Sequence, residues 1–234
     1  LVDKADIDCI LVGDSLGNVV QGHDTTLPVT VDDIIYHTRA VMRGASSAHV
    51  IADMPFMSYQ SSDDSGMRNA GRLLKEGGAQ SVKVEGGEQL APMVDRMVRA
   101  GIPVVGHLGL TPQSVHAFGG FRVQGKSDDA AEQLLRDARA LQDAGAFMIV
   151  LEMVPAELGR RVTEALSIPT IGIGGGPHTS GQVLVIYDLL GLNLDFQPRF
   201  LKHFARLEDT VTAALESYRD EVRERSYPGD EHSF

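Results

Sequence analysis

Short apolar runs alternate with amphipathic helical patterns along this chain, and nearly every run stops on a polar side chain followed by glycine or proline. The stretch Ile10-Leu11-Val12-Gly13-Asp14-Ser15-Leu16-Gly17 sets the pattern. An apolar run bounded in this way reads as a strand buried on both faces, the habit of parallel sheets. Residues 9–13, 49–53, 81–85, 102–107, 147–152 and 168–174 read as such strands, and residues 183–188 as the seventh. Helical signals fall between them. Thr30 and Asp33 have capping-box spacing ahead of a stripe of Ile34, Ile35, Thr38, Val41 and Met42 that Gly44 ends. Further helices are predicted through Met67, Leu73 and Leu74, over 88–100, from Ser127 along Leu134, Leu135, Ala138 and Leu141, from Pro155, and over 208–225.

Strands alternating with helices imply an α/β fold with a parallel sheet. No linker or shift in composition divides the chain, so residues 1–234 read as a single (β/α)8 barrel domain with C-terminal helices. A closed barrel needs about eight strands. Since residues 3–8 look like the tail of a helix, the first strand is expected upstream of Leu1. A doubly wound open sheet is the alternative. Polar residues at the strand ends favour the barrel, where those ends form the catalytic mouth. Residues 108–124 are too long for a plain connector, which points to a functional loop.

Charge narrows the partners. With 21 Lys and Arg against 32 Asp and Glu, the net charge is -11, and no basic field gathers nucleic acid phosphates. An anionic substrate is still allowed, because a bound metal reverses the local sign. No apolar run reaches membrane-spanning length. The lone Cys9 excludes an internal disulfide and suits a reducing, cytoplasmic setting.

Asp14, Asp53 and Glu85 end three separate strands, so a barrel would bring them to one mouth. Three crowded carboxylates repel one another, and hard oxygen ligands with room for water suit Mg²⁺. The rival reading is that each acid caps a helix. Lys83 shares a strand face with Glu85. It reads either as a structural ion pair or as a cation for a substrate carboxylate or enolate oxygen. His107 reads as a core imidazole or a substrate contact. Glu152 ends the apolar run Met148-Ile149-Val150-Leu151, surroundings that raise a carboxylate's pKa and suit a general base, with a helix cap as the rival. Gly172-Ile173-Gly174-Gly175-Gly176-Pro177 departs from the dinucleotide pattern at its last glycine and reads as a tight turn. No His–Asp arrangement marks Ser15 as a nucleophile.

Val12-Gly13-Asp14-Ser15-Leu16-Gly17, the run Gln21-Gly22-His23-Asp24-Thr25-Thr26-Leu27-Pro28-Val29, Lys83-Val84-Glu85-Gly86-Gly87, Gly106-His107-Leu108-Gly109-Leu110-Thr111-Pro112-Gln113-Ser114 and the closing Asp230-Glu231-His232-Ser233-Phe234 resemble the ketopantoate hydroxymethyltransferase family from one end of the chain to the other. The resemblance implies a (β/α)8 barrel of the phosphoenolpyruvate/pyruvate type. It implies transfer of a hydroxymethyl group from 5,10-methylenetetrahydrofolate to 3-methyl-2-oxobutanoate, giving ketopantoate in the pantothenate pathway. It also implies Mg²⁺ and a homodecamer of two pentameric rings. By resemblance Asp14 and Asp53 bind the metal with Glu85 in support, Ser15 and Lys83 hold the keto acid, His107 lines its pocket and Glu152 is the base. The chain lacks the family's first-strand Thr-Ala-Tyr-Asp, and it carries Gly175 where the family usually has alanine. Another Mg²⁺-dependent lyase or aldolase acting on 2-oxo acids, and a non-catalytic barrel, are the alternatives.

Overall fold

A computed structural model describes residues 1–194 and 196–234. They divide into two compact units, Leu1–Val183 and Leu184–Phe234. In the first unit β1 (Cys9–Val12), β2 (His49–Asp53), β3 (Ser81–Glu85), β4 (Val104–Gly109), β5 (Met148–Glu152), β6 (Thr170–Ile173) and β7 (Gly181–Gln182) form one sheet. Every pair is parallel. The spatial order of the strands follows the chain, β1 through β7. A doubly wound sheet reverses its strand order at a switch point, and this one does not. The helices α1 (Leu16–Val19), α2 (Val31–Met42), α3 (Asp63–Arg72), α4 (Ala91–Arg99), α5 (Asp128–Asp143) and α6 (Ala156–Ala165) fill the connections.

Local chemistry sets where these helices start. Thr30 Oγ1 accepts from the Asp33 N–H at 3.2 Å, and Asp33 Oδ2 accepts from the Thr30 N–H at 2.8 Å, closing the expected capping box. Ser127 Oγ accepts from the Ala130 N–H at 3.3 Å ahead of two acids in the first turn of α5. Near the start of the chain the Asp3 carboxylate accepts the N–H groups of Ser46, Ser47 and Ala48 at 3.0–3.1 Å and both serine hydroxyls. Those bonds, the Ala48 N–H foremost, hold its carboxyl well below the usual carboxylate range.

Alternation along the strands makes two layers. Val50, Val82, Val84, Val104, Ile149 and Leu151 join Ile34, Ile35, Met93, Met97, Leu134, Leu141 and Val162 in the core between sheet and helices. The opposite strand face carries a smaller apolar cluster of Ile51, Val105, Met148 and Val150. On that same face, two residues farther along, stand Asp53, His107 and Glu152, beside Lys83 and Glu85.

The seventh strand is not where the sequence suggested. On the far side of β6 from β5 the paired residues are Gly181–Gln182, and residues 183–188 are not a strand. The run is apolar without a two-residue period, so it does not by itself distinguish strand from helix. It enters a helical turn, α7 (Ile186–Leu189), in the second unit. The Leu189 N–H donates to the Val185 carbonyl, and Gly191, with φ +63°, ends the turn. The second unit also contains α8 (Leu207–Glu224), which has no buried residue. Among the described residues no helix is long and apolar enough to cross a membrane.

Candidate active site

The chain turns sharply after β1 at Gly13, close to two side chains of the site. A Cβ there would stand 3.1 Å from Ser15 Oγ and 3.8 Å from Asp53 Oδ2. Asp14 follows, buried, with its N–H donating to Asp53 Oδ2 at 3.1 Å. Ser15 lies half-buried beside it at the start of α1. Asp53 ends β2 directly across from Lys83 on β3, and Glu85 lies across from His107 on β4. Parallel pairing points such neighbours to the same side. The ion pairs follow from the register. Lys83 Nζ is 3.0 Å from Asp53 Oδ1 and 3.1 Å from Glu85 Oε1. His107 Nδ1 is 3.0 Å from the same Nζ and 3.2 Å from Glu85 Oε1. On its far side Nε2 is 3.3 Å from Glu152 Oε2, a charge contact without the alignment of a hydrogen bond.

Of the ion-paired groups Glu152 is the most open, with 16 % of its side chain exposed against 4 % for His107. It therefore stands at the wet edge of the cluster and not in the wholly apolar surroundings its strand suggested. Gly109, across from Glu152, has φ +91°. A Cβ at that position would stand 2.2 Å from the Glu152 carbonyl oxygen, while the next N–H, that of Leu110, donates to this oxygen at 2.8 Å. Only glycine lets β4 turn so close to β5.

The electrostatics are those of an acid-rich pocket short of cations. Burial, then the charges of Asp53 and Glu85, raise the Asp14 carboxyl well above the usual range against Lys83 and Gln113. Burial likewise raises Asp53, with Lys83 opposing. Glu85 behaves differently. Burial acts against its charge, but Lys83 and His107 outweigh it and lower the carboxyl to about 2. Burial and the neighbouring Lys83 also oppose a charge on His107, yet Glu85 and Glu152 hold its imidazole up to about 9.

Asp14, Asp53 and Glu85 each offer an oxygen within 4.8 Å of the other two. Asp53 Oδ1 is buried and, although close to Lys83, accepts no aligned hydrogen bond among the described residues. Buried lone pairs left over in a cluster of excess negative charge fit a hard divalent cation with water in its remaining positions. Beside Glu85 opens a cleft of about 680 Å³, lined also by Phe56, Tyr59, Gln113, Phe118 and Asp137 among others.

A family model described as ketopantoate hydroxymethyltransferase matches residues 1–230. The chain belongs to this family. It is 58 % identical over 234 residues to the 3-methyl-2-oxobutanoate hydroxymethyltransferase of Moorella thermoacetica, covering 100 % of this chain and 87 % of that one. Identity to the enzyme of the same name from Syntrophus aciditrophicus is 55 %, over 100 % of this chain and 86 % of its relative. Among solved structures, a phosphonopyruvate hydrolase superposes with a TM-score of 0.60 at 11 % identity, covering 99 % of this chain and 80 % of the other. A putative phosphonomutase from Burkholderia cenocepacia gives 0.59 at 15 % identity, over 77 % and 79 %. At such identity the likeness speaks for the α/β fold alone.

The sequence-derived site residues of this family member therefore gather at the C-terminal strand ends: Asp14, Ser15, Asp53, Lys83, Glu85, His107 and Glu152. Two further residues enter the cluster without having been singled out. Gln113 lies in the turn Pro112–Ser114 after β4, and Tyr59 in the connection after β2; both are buried. The Tyr59 hydroxyl accepts the Glu85 N–H at 2.9 Å and donates to Gln113 Oε1 at 2.8 Å. Their signal in the sequence was slight. Gln113 stands inside a family-like motif and in a loop long enough to suggest function, but an amide carries no charge to announce a site.

Proposed function

We propose that this chain transfers a hydroxymethyl group from 5,10-methylenetetrahydrofolate to 3-methyl-2-oxobutanoate. With water supplying the hydroxyl oxygen, the products are ketopantoate and tetrahydrofolate. The observation that carries the reading is the meeting of Asp14, Asp53 and Glu85 within ligand distance, with Lys83 buried among them, in a chain of this family.

Asp14 and Asp53 would hold Mg²⁺, with Glu85 in support. When bound, the cation supplies Lewis-acid withdrawal of electron density from the carboxylate and keto oxygens of a 2-oxo acid. Lys83 places a second positive charge where negative charge gathers on the keto oxygen. Ser15 and His107 line the keto acid. Glu152, the most open carboxylate of the group, takes the C3 proton, with the His107 imidazole 3.3 Å away as its charge partner. The electron-rich carbon then takes up the one-carbon unit, for which folate supplies the reactive chemistry and the protein the orientation.

Residues 1–234 then act as one barrel with C-terminal helices, in a homo-oligomer that the family resemblance makes decameric. The exposed stripe Val211, Leu215, Tyr218 and Val222 on α8 supports packing against a further copy. A cytoplasmic setting accords with the lone Cys9. The test is an assay of ketopantoate formation with Mg²⁺, with and without methylenetetrahydrofolate. Product is expected only with both. Consumption of the 2-oxo acid without folate would move the chain to the lyases, and Mg²⁺ binding without turnover would leave it a binding protein.

A further inference from the structure

We propose that Gln113 is a positioning residue whose side chain fixes which oxygen Asp14 presents to a divalent cation. The proposal rests on the metal reading of those acids. Gln113 comes from a connection that supplies none of the three carboxylates, yet it touches two of them. Its side-chain Nε2 donates to Asp14 Oδ2 at 3.0 Å and to the Met54 carbonyl at 2.9 Å. Its backbone N–H donates to Glu85 Oε2 at 3.1 Å. Its Oε1 accepts from the Tyr59 hydroxyl at 2.8 Å and from Gln60 Nε2 at 2.9 Å.

A carboxamide has two donor hydrogens and two acceptor lone pairs, and here all four are used. Reversing the amide would set Oε1 against the Asp14 carboxylate and the Met54 carbonyl, both acceptors. The orientation is therefore determined by its partners. It has a consequence for each acid. Asp14 Oδ2 is occupied, while Oδ1 accepts from no described residue. Glu85 Oε2 is held by Gln113, and Oε1 faces Lys83 and His107. A neutral donor is what this place demands. A carboxylate here would add charge to a pocket already rich in it, and a lysine or arginine would compete with the cation. Tyr59 ties the arrangement to β3, because the same hydroxyl that supports Gln113 accepts the N–H of Glu85.

The experiment is a Mn²⁺ titration followed by electron paramagnetic resonance on the full chain, with Mg²⁺ competition, for wild type, Gln113→Met, Tyr59→Phe and Asp14→Asn. Gln113→Met keeps the length of the side chain and removes its donors and acceptor. It should weaken metal binding about 10–100-fold, the usual effect of removing a group that orients a ligand. Kinetically, half-saturation for Mg²⁺ should rise while kcat at saturating Mg²⁺ stays within a few-fold. Tyr59→Phe, which leaves Gln113 in place without its hydroxyl support, should show the same effect more weakly and keeps the test open if the methionine variant does not fold. Unchanged metal affinity with a lowered melting temperature in either folded variant would overturn the positioning role. Wild type that binds no better than Asp14→Asn would instead overturn the metal reading itself, and the proposal with it.

Discussion

Replacing Lys83 with methionine tests the charge balance of the site directly. The side chain is 3 % exposed and its Nζ is 3.0 and 3.1 Å from two carboxylate oxygens. At an effective dielectric of about 20, each contact has a Coulomb energy of roughly 5 kcal/mol. The two together set a ceiling near about 10 kcal/mol. Desolvating the ammonium returns several of these, so breaking the arrangement should cost about 3–5 kcal/mol. Methionine preserves most of the volume, which keeps a cavity from contributing. The cost arises in the acids left behind, so it should shrink as pH falls and they bind protons. It should also shrink when Mg²⁺ is added, if a cation can sit among them. Urea denaturation of wild type and Lys83→Met at pH 8 and pH 5, with and without Mg²⁺, measures each part. A loss below about 1 kcal/mol at pH 8 without Mg²⁺ would refute the reasoning, since it would mean that the three acids do not depend on Lys83.

Glu152→Gln should retain Mg²⁺-dependent binding of 3-methyl-2-oxobutanoate but lose exchange of its C3 hydrogen in deuterated water by about 10²–10⁴-fold; exchange at the wild-type rate would move the base elsewhere. Gly109→Ala forces a Cβ toward the Glu152 carbonyl at φ +91°. It should cost about 1–3 kcal/mol in urea denaturation and at least about 10-fold in turnover, because it displaces the strand end that carries Glu152. Asp3 has a depressed carboxyl pKa, so the stability it contributes is present above the ordinary carboxylate value of about 4 and is lost as pH falls below it. The gap in urea midpoint between wild type and Asp3→Asn should therefore be full at pH 7 and close toward pH 2; a gap that widens on acidification would contradict this.

Much of the site was legible because its chemistry lies at the ends of apolar runs. Asp53, Glu85 and Glu152 each interrupt a hydrophobic pattern, and Lys83 follows Val82 in a strand that otherwise buries valines. The register that sets Asp53 beside Lys83 and Glu85 beside His107 was not legible, since it depends on pairing between strands. Gln113 was missed for a related reason: its partner Asp14 is 99 positions away, and nothing local distinguishes it from a polar loop residue. The seventh strand was misplaced because Val183-Leu184-Val185-Ile186 has no alternation, and only the hydrogen bonds of α7 show which structure it adopts. The exposure of Glu152 depends on the loops around it, which a strand pattern does not describe.

The strands lie side by side in the order in which they occur in the chain. Charged groups therefore find their counterparts in the adjacent βα unit, Asp53 with Lys83, Glu85 with His107 and His107 with Glu152, and the Asp14 N–H likewise reaches Asp53. This strand order lets these pairs form between neighbouring units, while the bond from Gln113 to Asp14 joins units far apart in the chain. The order also makes the pocket intolerant of a shift in pairing. A slip of β3 by one residue would turn Val82 and Val84 into the mouth and drive Lys83 and Glu85 in among Met93, Met97 and Leu141, burying two charges in the layer that holds the helices to the sheet. Deletions of a single residue in the connections flanking β3 should therefore be far more damaging to this chain than deletions of the same size within the exposed residues 20–24, which lie ahead of a capping box able to reset the start of α2.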